Sequence, residues 1–324
     1  MKAFVYERYG PPEVLHLADV PKPVPADDQV LVKVLAVSVN PADWHVMRGK
    51  PAFARATFGL FRPKHKILGG DVAGEVEAVG RGVDQFKPGD AVYANLLDHG
   101  FGGFAEYVAA PVGVTAAKPA NLSFDEAAAV PMAAVTALQG LLHHGEIRPG
   151  AKVLVNGASG GVGHFAVQIA KSFGAEVTGV TSTPNLDLVR SLGADHVVDY
   201  TADDFTRSGK RYDFILDTIG NVSVGDLRRA LAKGGKASVT GFNTIGRLIG
   251  VAVLGGKDIA QVNARANADN LTLLAEMADA GKLRPVIDRR YPFEEIPQAI
   301  AYLETLRARG KVVVDVAQGT VPNP

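Results

Sequence analysis

The residues best suited to chemistry in this chain are glycines. In Val153-Leu-Val-Asn-Gly-Ala-Ser-Gly-Gly-Val-Gly163, the residues Gly157, Gly160 and Gly163 fall three apart, after an apolar run and before a helical pattern. That spacing serves a tight turn, close approach of backbone to a pyrophosphate, and close packing of helix on strand. The start of the helix adds unpaired amides and partial positive charge. With Ala158, Ser159, Gly161 and Val162 between the glycines, the segment reads as a phosphate cradle. The plainer alternative is a structural glycine turn. The strand before, the helix after and a further strand about 20 residues on favour a dinucleotide site.

Which dinucleotide depends on the end of that further strand, where a carboxylate would hold a ribose 2′-hydroxyl and repel a 2′-phosphate. Here the strand runs out as Val180-Thr-Ser-Thr-Pro-Asn185, with no acid before Asp187. Ser182, Thr183, Asn185 and Tyr200 offer donors instead, and Arg190, Arg309 or Lys311 are possible sources of charge, although a solvated helix face also accounts for Arg190. The expectation is NADPH, with NADH possible.

The elements that must position this loop show in the periodicity. Residues 2–6, 29–39 and 72–79 alternate apolar and polar side chains and are separated by turns such as Lys87-Pro-Gly-Asp90, a pattern of many short strands. From Ser123-Phe-Asp-Glu126, a capping box, the pattern changes. Strands at 152–155, 176–180, 196–198, 214–216 and 236–240 alternate with helices at 162–173, 185–192 and 226–231, which argues for a parallel sheet covered on both faces. After a helix at 270–280 the tail returns to strands, with a helix at 296–306 and a valine run at 311–316. A β-rich domain over 1–122 and 286–324, interrupted by a dinucleotide-binding domain over 123–285, is the simplest arrangement.

Composition excludes several classes. The 324 residues are 47% hydrophobic and contain no cysteine, which removes disulfides, thiolate nucleophiles and cysteine-held metals. Lys+Arg and Asp+Glu both total 34, so no overall field draws in nucleic acid or an anionic membrane, though local patches stay possible. The most apolar window, Leu248 to Leu254, is far shorter than the ~20 residues of a spanning helix. A cytoplasmic protein without nucleic-acid or membrane partners is expected.

The chain as a whole resembles the medium-chain dehydrogenase/reductase superfamily, in its zinc-free quinone oxidoreductase branch. The resemblance rests on Asn40-Pro-Ala-Asp-Trp44, Gly69-Gly-Asp-Val-Ala-Gly74 with Gly80, Phe86-Lys-Pro-Gly-Asp90 and Gly103-Phe-Ala-Glu-Tyr107. Ala128-Ala-Val-Pro-Met132 with Thr136, the glycine loop, Leu192-Gly-Ala-Asp195 and Arg309-Gly-Lys311 complete it. It implies a GroES-like β-barrel domain beside a Rossmann doubly wound sheet, the nicotinamide lying in the cleft between them, and a homodimer. It also implies that Thr136, Gly241 and Phe242 border the cofactor, and that Tyr93 and Asn95 border the cleft or pack its wall.

In zinc-dependent relatives the first two metal ligands are a cysteine and a histidine, and those positions are Asn40 and Gly70 here. None of the eight histidines is paired at ligand spacing with a third partner. His143 and His144 read as a solvated pair at a helix end, and His65, His99, His164 and His196 as surface residues. The resemblance sets Asn40, Asp43 and His45 beside the nicotinamide. Asn40 would bond the nicotinamide ribose or a substrate oxygen. Asp43 reads equally as a turn former before a helix, and Trp44 as core more than platform. His45 would donate a proton or hydrogen bond.

The leading function is reduction of a quinone or an α,β-unsaturated carbonyl by NADPH without zinc. The alternatives are a metal-free aldehyde or ketone dehydrogenase and, in another class, a nucleotide-binding structural or sensor protein of crystallin type.

Overall fold

The computed structural model describes residues 1–52, 55–145, 147–241 and 245–317. Its chain opens with β1 (Lys2–Val5), β2 (His16–Asp19) and β3 (Gln29–Val39), then the helices α1 (Pro41–Arg48) and α2 (Arg55–Phe58). Next come β4 (Asp71–Val79), β5 (Ala91–Asn95), β6 (Tyr107–Pro111), β7 (Thr115–Ala117) and the helices α3 (Phe124–Ala128) and α4 (Pro131–Leu142). Alternation then sets in with β8 (Lys152–Asn156), α5 (Gly163–Ser172), β9 (Glu176–Thr181), α6 (Leu186–Ser191), β10 (His196–Asp199) and β11 (Tyr212–Asp217). It continues through α7 (Val224–Ala230), β12 (Leu231–Val239), α8 (Ile245–Leu254) and β13 (Ile259–Gln261). The chain closes with α9 (Ala268–Asp279), β14 (Ile287–Pro292), α10 (Ile296–Glu304) and β15 (Lys311–Asp315).

These elements form two compact units, one of residues 1–132, 266–281 and 287–324, the other of 133–265 and 282–286. The expected ranges put 123–132 and 266–281 with the dinucleotide-binding domain; both pack with the first unit. Tyr93 on β5 shows why for the later stretch: its buried hydroxyl donates to the Leu271 carbonyl on α9 at 2.5 Å.

The first unit is built on a sheet in the order β14-β15-β3-β4-β5-β7, with β6 also paired to β3. β3 runs antiparallel to β4, β6 and β15. Its length follows from Gln29-Val-Leu-Val-Lys-Val-Leu-Ala-Val-Ser-Val39, β-branched on both faces because both faces are covered. Phe4, Tyr6, Val32, Val37, Phe104, Ile296 and Val312 meet in one core. Each such side chain contributes about 1.5–3 kcal/mol by leaving water.

The second unit has an all-parallel sheet in the order β10-β9-β8-β11-β12-β13, the doubly wound order with its reversal between β8 and β11. Leu154, Ile215, Leu227, Ala237 and Ile259 fill one side of it. Among the described residues no helix is long and apolar enough to cross a membrane.

Candidate functional site

The glycine loop leaves β8 at the point where the strand order reverses, the crevice in which doubly wound sheets bind ligands. Gly157 takes φ +83°, a left-handed conformation that glycine adopts without steric cost. Its amide and that of Ala158 donate to the Val180 carbonyl at 3.1 and 2.9 Å, and Gly160 closes the turn on Gly157 O at 3.0 Å. A Cβ on Gly163 would lie 2.0 Å from Gly157 O, so helix α5 approaches the loop as closely as it does only with glycine there. The amides of Ser159, Gly161 and Val162 donate to no group among the described residues. Three free donors at a helix start fit the diphosphate of a dinucleotide.

Two carboxylates that the sequence reading passed over stand at the ends of β11 and β10, two strands that β8 and β9 separate in the sheet. Asp217 ends β11 opposite Asn156. Its Oδ1 accepts from Asn156 Nδ2 at 2.8 Å and from the Ile219 and Gly220 amides at 3.1 and 3.0 Å, while Oδ2 has no partner. Burial pushes this carboxyl up, against those hydrogen bonds. Asp199 ends β10 in register with Thr181 of β9. Its carboxylate accepts from the hydroxyls of Thr183 and Thr201, which hold it below the usual carboxylate range.

The end of β9 itself carries a cluster of hydroxyls and one amide. Thr181 Oγ1 donates to Ser159 Oγ at 2.7 Å, and Asn185 Nδ2 donates to Ser159 Oγ and Ser182 Oγ, both at 3.3 Å. Asn185 Oδ1 is left without a partner. Tyr200 is 63% exposed, with its amide tied to the Thr181 carbonyl. Thr183 differs from expectation, because its hydroxyl proton goes to Asp199. Arg190 is paired with Asp187 at 2.6 Å on the surface of α6, the helix-face role. Thr136 lies half-buried on α4, and a Cβ on Gly241 would meet Thr218 O at 2.4 Å. Phe242 lies outside the described residues.

In the first unit, strand register assembles a second group of polar residues. Ser38 of β3 faces Asp71 of β4 on one side and Val313 of β15 on the other. Asn40, one step past β3, and Lys311, at the start of β15, therefore converge on Asp71. Asp71 Oδ2 accepts from Ser38 Oγ at 3.1 Å and Asn40 Nδ2 at 3.0 Å; Oδ1 accepts the Met132 amide at 2.9 Å, at the start of α4. Lys311 Nζ donates to Asn40 Oδ1 and stands 3.7 Å from Asp71 Oδ2. Asp43 caps α1, taking the Asn40 amide at 2.8 Å, and reaches the Gly69 amide at 3.1 Å. Burial lifts Asp43 to about 7, and burial likewise raises Asp71 and lowers Lys311.

This geometry corrects several expectations. Asn40 spends both amide protons on Ser38 O and Asp71, and its oxygen accepts from Lys311, so it has no proton left to donate to a nicotinamide or substrate. Asp43 is the turn former. It is 0% exposed and both of its oxygens are occupied, which leaves it no catalytic contact. Lys311 is 3% exposed and committed to Asp71, so its charge is spent within its own unit and not on a 2′-phosphate. Arg309, two residues earlier, is exposed. His45 is half-buried, stacked on Trp44 at 3.7 Å, and its Nδ1 meets the Lys50 carbonyl at 3.0 Å. A carbonyl only accepts, so Nδ1 holds the proton and Nε2 is a bare acceptor. Burial lowers this imidazole, which disfavours the charged form a proton donor needs.

Other histidines also differ. His164 is fully buried on α5 with Nδ1 against Gly160 O at 2.9 Å, in a first stretch of helix whose residues from Gly163 to Val167 are all buried. His144 reaches Ala237 O at 3.1 Å and is lowered by burial, so it is a neutral tether more than a charged helix cap. Asn95 is 4% exposed and accepts from the Leu97 amide. Among the described residues no three His, Cys, Asp or Glu side chains are grouped to hold a metal.

Comparison with known proteins agrees with this architecture. The family model of the alcohol dehydrogenase GroES-like domain matches residues 26–120, and that of the zinc-binding dehydrogenases matches 192–314. The chain is 38% identical over 97% of its length to an Arabidopsis thaliana protein described as NADPH-dependent alkenal/one oxidoreductase, chloroplastic, covering 79% of that relative. It is 34% identical to the chloroplast envelope quinone oxidoreductase homolog of the same plant, covering 97% of this chain and 98% of that one. The solved quinone oxidoreductase of Coxiella burnetii superposes with a TM-score of 0.87 at 33% identity, over 98% of this chain and 99% of that one. The chain belongs to the medium-chain dehydrogenase/reductase superfamily. It is an oxidoreductase whose relatives are quinone and alkenal oxidoreductases, with the GroES-like plus Rossmann architecture expected from its motifs.

Proposed function

We propose that this protein reduces quinones or α,β-unsaturated carbonyls with NADPH and without a metal. The observation that carries the reading is the glycine loop at the sheet's reversal point, with free amides at Ser159, Gly161 and Val162, in a chain similar to NADPH-dependent alkenal/one and quinone reductases. NADPH when bound supplies the hydride. The loop amides would hold its diphosphate, and the Ser182 hydroxyl would donate to the 2′-phosphate, with Asn185 and Tyr200 beside it. Thr136 and Gly241 are proposed as further cofactor contacts.

Two features support the metal-free part. The chain has no cysteine, and the resemblance sets Gly70, which has no side chain to ligate a metal, where zinc-dependent relatives carry a histidine ligand. Hydride addition to an ordinary carbonyl builds charge on oxygen and calls for a Lewis acid or a positioned donor. His45 presents an acceptor, and Asn40 and Asp43 are spent. A conjugated acceptor spreads the charge over an enolate or aromatic ring, so backbone donors suffice and water returns the proton. This favours enones and quinones over saturated aldehydes, the alternative substrates.

The absence of cysteine accords with a reducing compartment, and we place the protein in the cytoplasm. We also propose a homodimer, since β13 closes the second unit's sheet as an edge strand paired on one side only among the described residues. The deciding experiment is a panel of quinones, enones, enals and saturated aldehydes followed by loss of NADPH absorbance. The reading predicts fast turnover of the conjugated compounds. Best activity on saturated aldehydes refutes it, and NADPH binding without turnover of any class points to a structural or sensor role.

A further inference from the structure

The zero net charge of this chain is an average over an uneven distribution. From residue 44 to residue 70 there is no Asp or Glu, while Arg48, Lys50, Arg55, Arg62, Lys64 and Lys66 all fall there. Acids from elsewhere answer two of these six: Glu304 pairs with Arg48, and Glu7 lies 3.5 Å from Lys66. Arg55 is laid over the Tyr9 ring. Lys50, Arg62 and Lys64 enter no ion pair among the described residues. At the centre of this basic stretch stand Leu60 and Phe61, adjacent in sequence and 61% and 87% exposed.

Their exposure is built by the turn that carries them. Gly59 has φ +115°, and a Cβ there would lie 2.0 Å from Arg62 O. The Gly59 amide bonds Arg55 O at 2.9 Å, and the Lys64 amide closes the loop on Phe58 O at 2.8 Å. Tyr9 Oη holds the Gly59 carbonyl at 2.5 Å. Phe58 packs beside Phe101, and Pro63 is buried. The turn is thus anchored through Phe58 and Pro63 and lifts Leu60 and Phe61 into solvent beside the exposed Arg62 and Lys64.

We propose that this turn is a peripheral membrane anchor, with Leu60 and Phe61 entering the headgroup–acyl boundary of an anionic bilayer and Lys50, Arg62 and Lys64 resting on its headgroups. Two side chains are far too small for a stable contact with another protein, which buries at least roughly 1,200 Å² in total. An apolar wedge ringed by cations is instead the chemistry of an interfacial anchor. The anchor does not depend on the substrate. It would bring an enzyme of this class to the phase in which hydrophobic quinones and alkenals dissolve.

The test is co-sedimentation of the purified full chain with vesicles of phosphatidylcholine alone and of phosphatidylcholine mixed with phosphatidylglycerol. Binding to the mixed vesicles and its loss at high salt are expected. Each cation removed should weaken binding on the order of fivefold, so Arg62→Glu/Lys64→Glu should lose more than about twentyfold. Leu60→Ser/Phe61→Ser should abolish sedimentation while melting at the wild-type temperature. Three results overturn the proposal: no binding to mixed vesicles, equal binding to neutral ones, or full binding by the Leu60→Ser/Phe61→Ser variant. A change of molecular mass in solution on Leu60→Ser/Phe61→Ser overturns it in favour of a second copy of the chain.

Discussion

Replacing Lys311 by Met isolates the buried charge network. Lys311 is 3% and Asp71 0% exposed, and they stand 3.7 Å apart. Removing one partner of a buried pair costs about 3–5 kcal/mol, because the other charge stays behind in a low-dielectric site. Asp71 keeps donors from Ser38, Asn40 and the Met132 amide, which places the cost near the lower end, about 3 kcal/mol. For a unit of this size that is roughly a 6–12 °C fall in Tm. The loss must depend on pH. Lys311 opposes the burial that raises the Asp71 carboxyl, so its removal lifts that carboxyl further above its unfolded value. Between the two values the native state binds more protons than the unfolded one, so stability falls as pH rises. The deficit should therefore be larger at ~pH 8 than at ~pH 5. Thermal melts of Lys311→Met, Asp71→Asn and the double variant across this range measure it, and the double variant should lose less than the sum of the singles. An unchanged Tm accompanied by a tenfold or greater loss of NADPH affinity would refute the argument and return Lys311 to the role of phosphate ligand.

Other outcomes follow from the same geometry. Ser182→Asp should cut kcat/KM for NADPH at least about tenfold relative to NADH by repelling the 2′-phosphate; an unchanged ratio would mean this residue does not face it. Gly163→Ala forces a Cβ to within 2.0 Å of Gly157 O, so titration by intrinsic fluorescence should show nucleotide binding lost. Asp43, lifted to about 7, makes the native state bind more protons than the unfolded one from about pH 4 to 7, so stability falls as pH rises there. Asp43→Asn should flatten that slope in denaturant titrations. Activity should persist in chelators, with metal analysis finding no stoichiometric zinc; loss of activity together with one zinc per chain would sink the metal-free reading.

Local pattern carried the elements whose signal is local. The valine alternation of 29–39 and the helical stripe of 162–173 both became elements at nearly those bounds. The first half of β12 went unseen because Lys233-Gly-Gly235 reads as a turn, and β13 because it has only three residues. The glycine loop was legible since its chemistry is written in consecutive residues. The network of Ser38, Asn40, Asp71 and Lys311 was not: those residues meet only through the register of three antiparallel strands. Sequence resemblance located Asn40 and Lys311 without revealing that each is the other's partner. Asp199 was overlooked for a similar reason, since reading the end of β9 alone misses the acid that β10 sets against it.

The place of β15 in the first sheet bears on the order in which the protein is made. β15 pairs with β3 across some 270 residues, and β3 also pairs with β4 and β6. On the ribosome, the strands from β1 to β7 emerge early, yet the end of β3 at residues 36–39, beyond its pairing with β6, keeps one side open until the valine run of β15 arrives. Through that interval Asp71 has no ammonium to neutralise it. The second unit, nearly continuous in sequence, is complete well before then. The usual N-terminal-first sequence of domain folding is thereby reversed, and the nascent first unit is a half-finished sheet with an unpaired β-branched edge. Truncation before residue 311 should accordingly yield a chain that aggregates, while retaining a folded second unit.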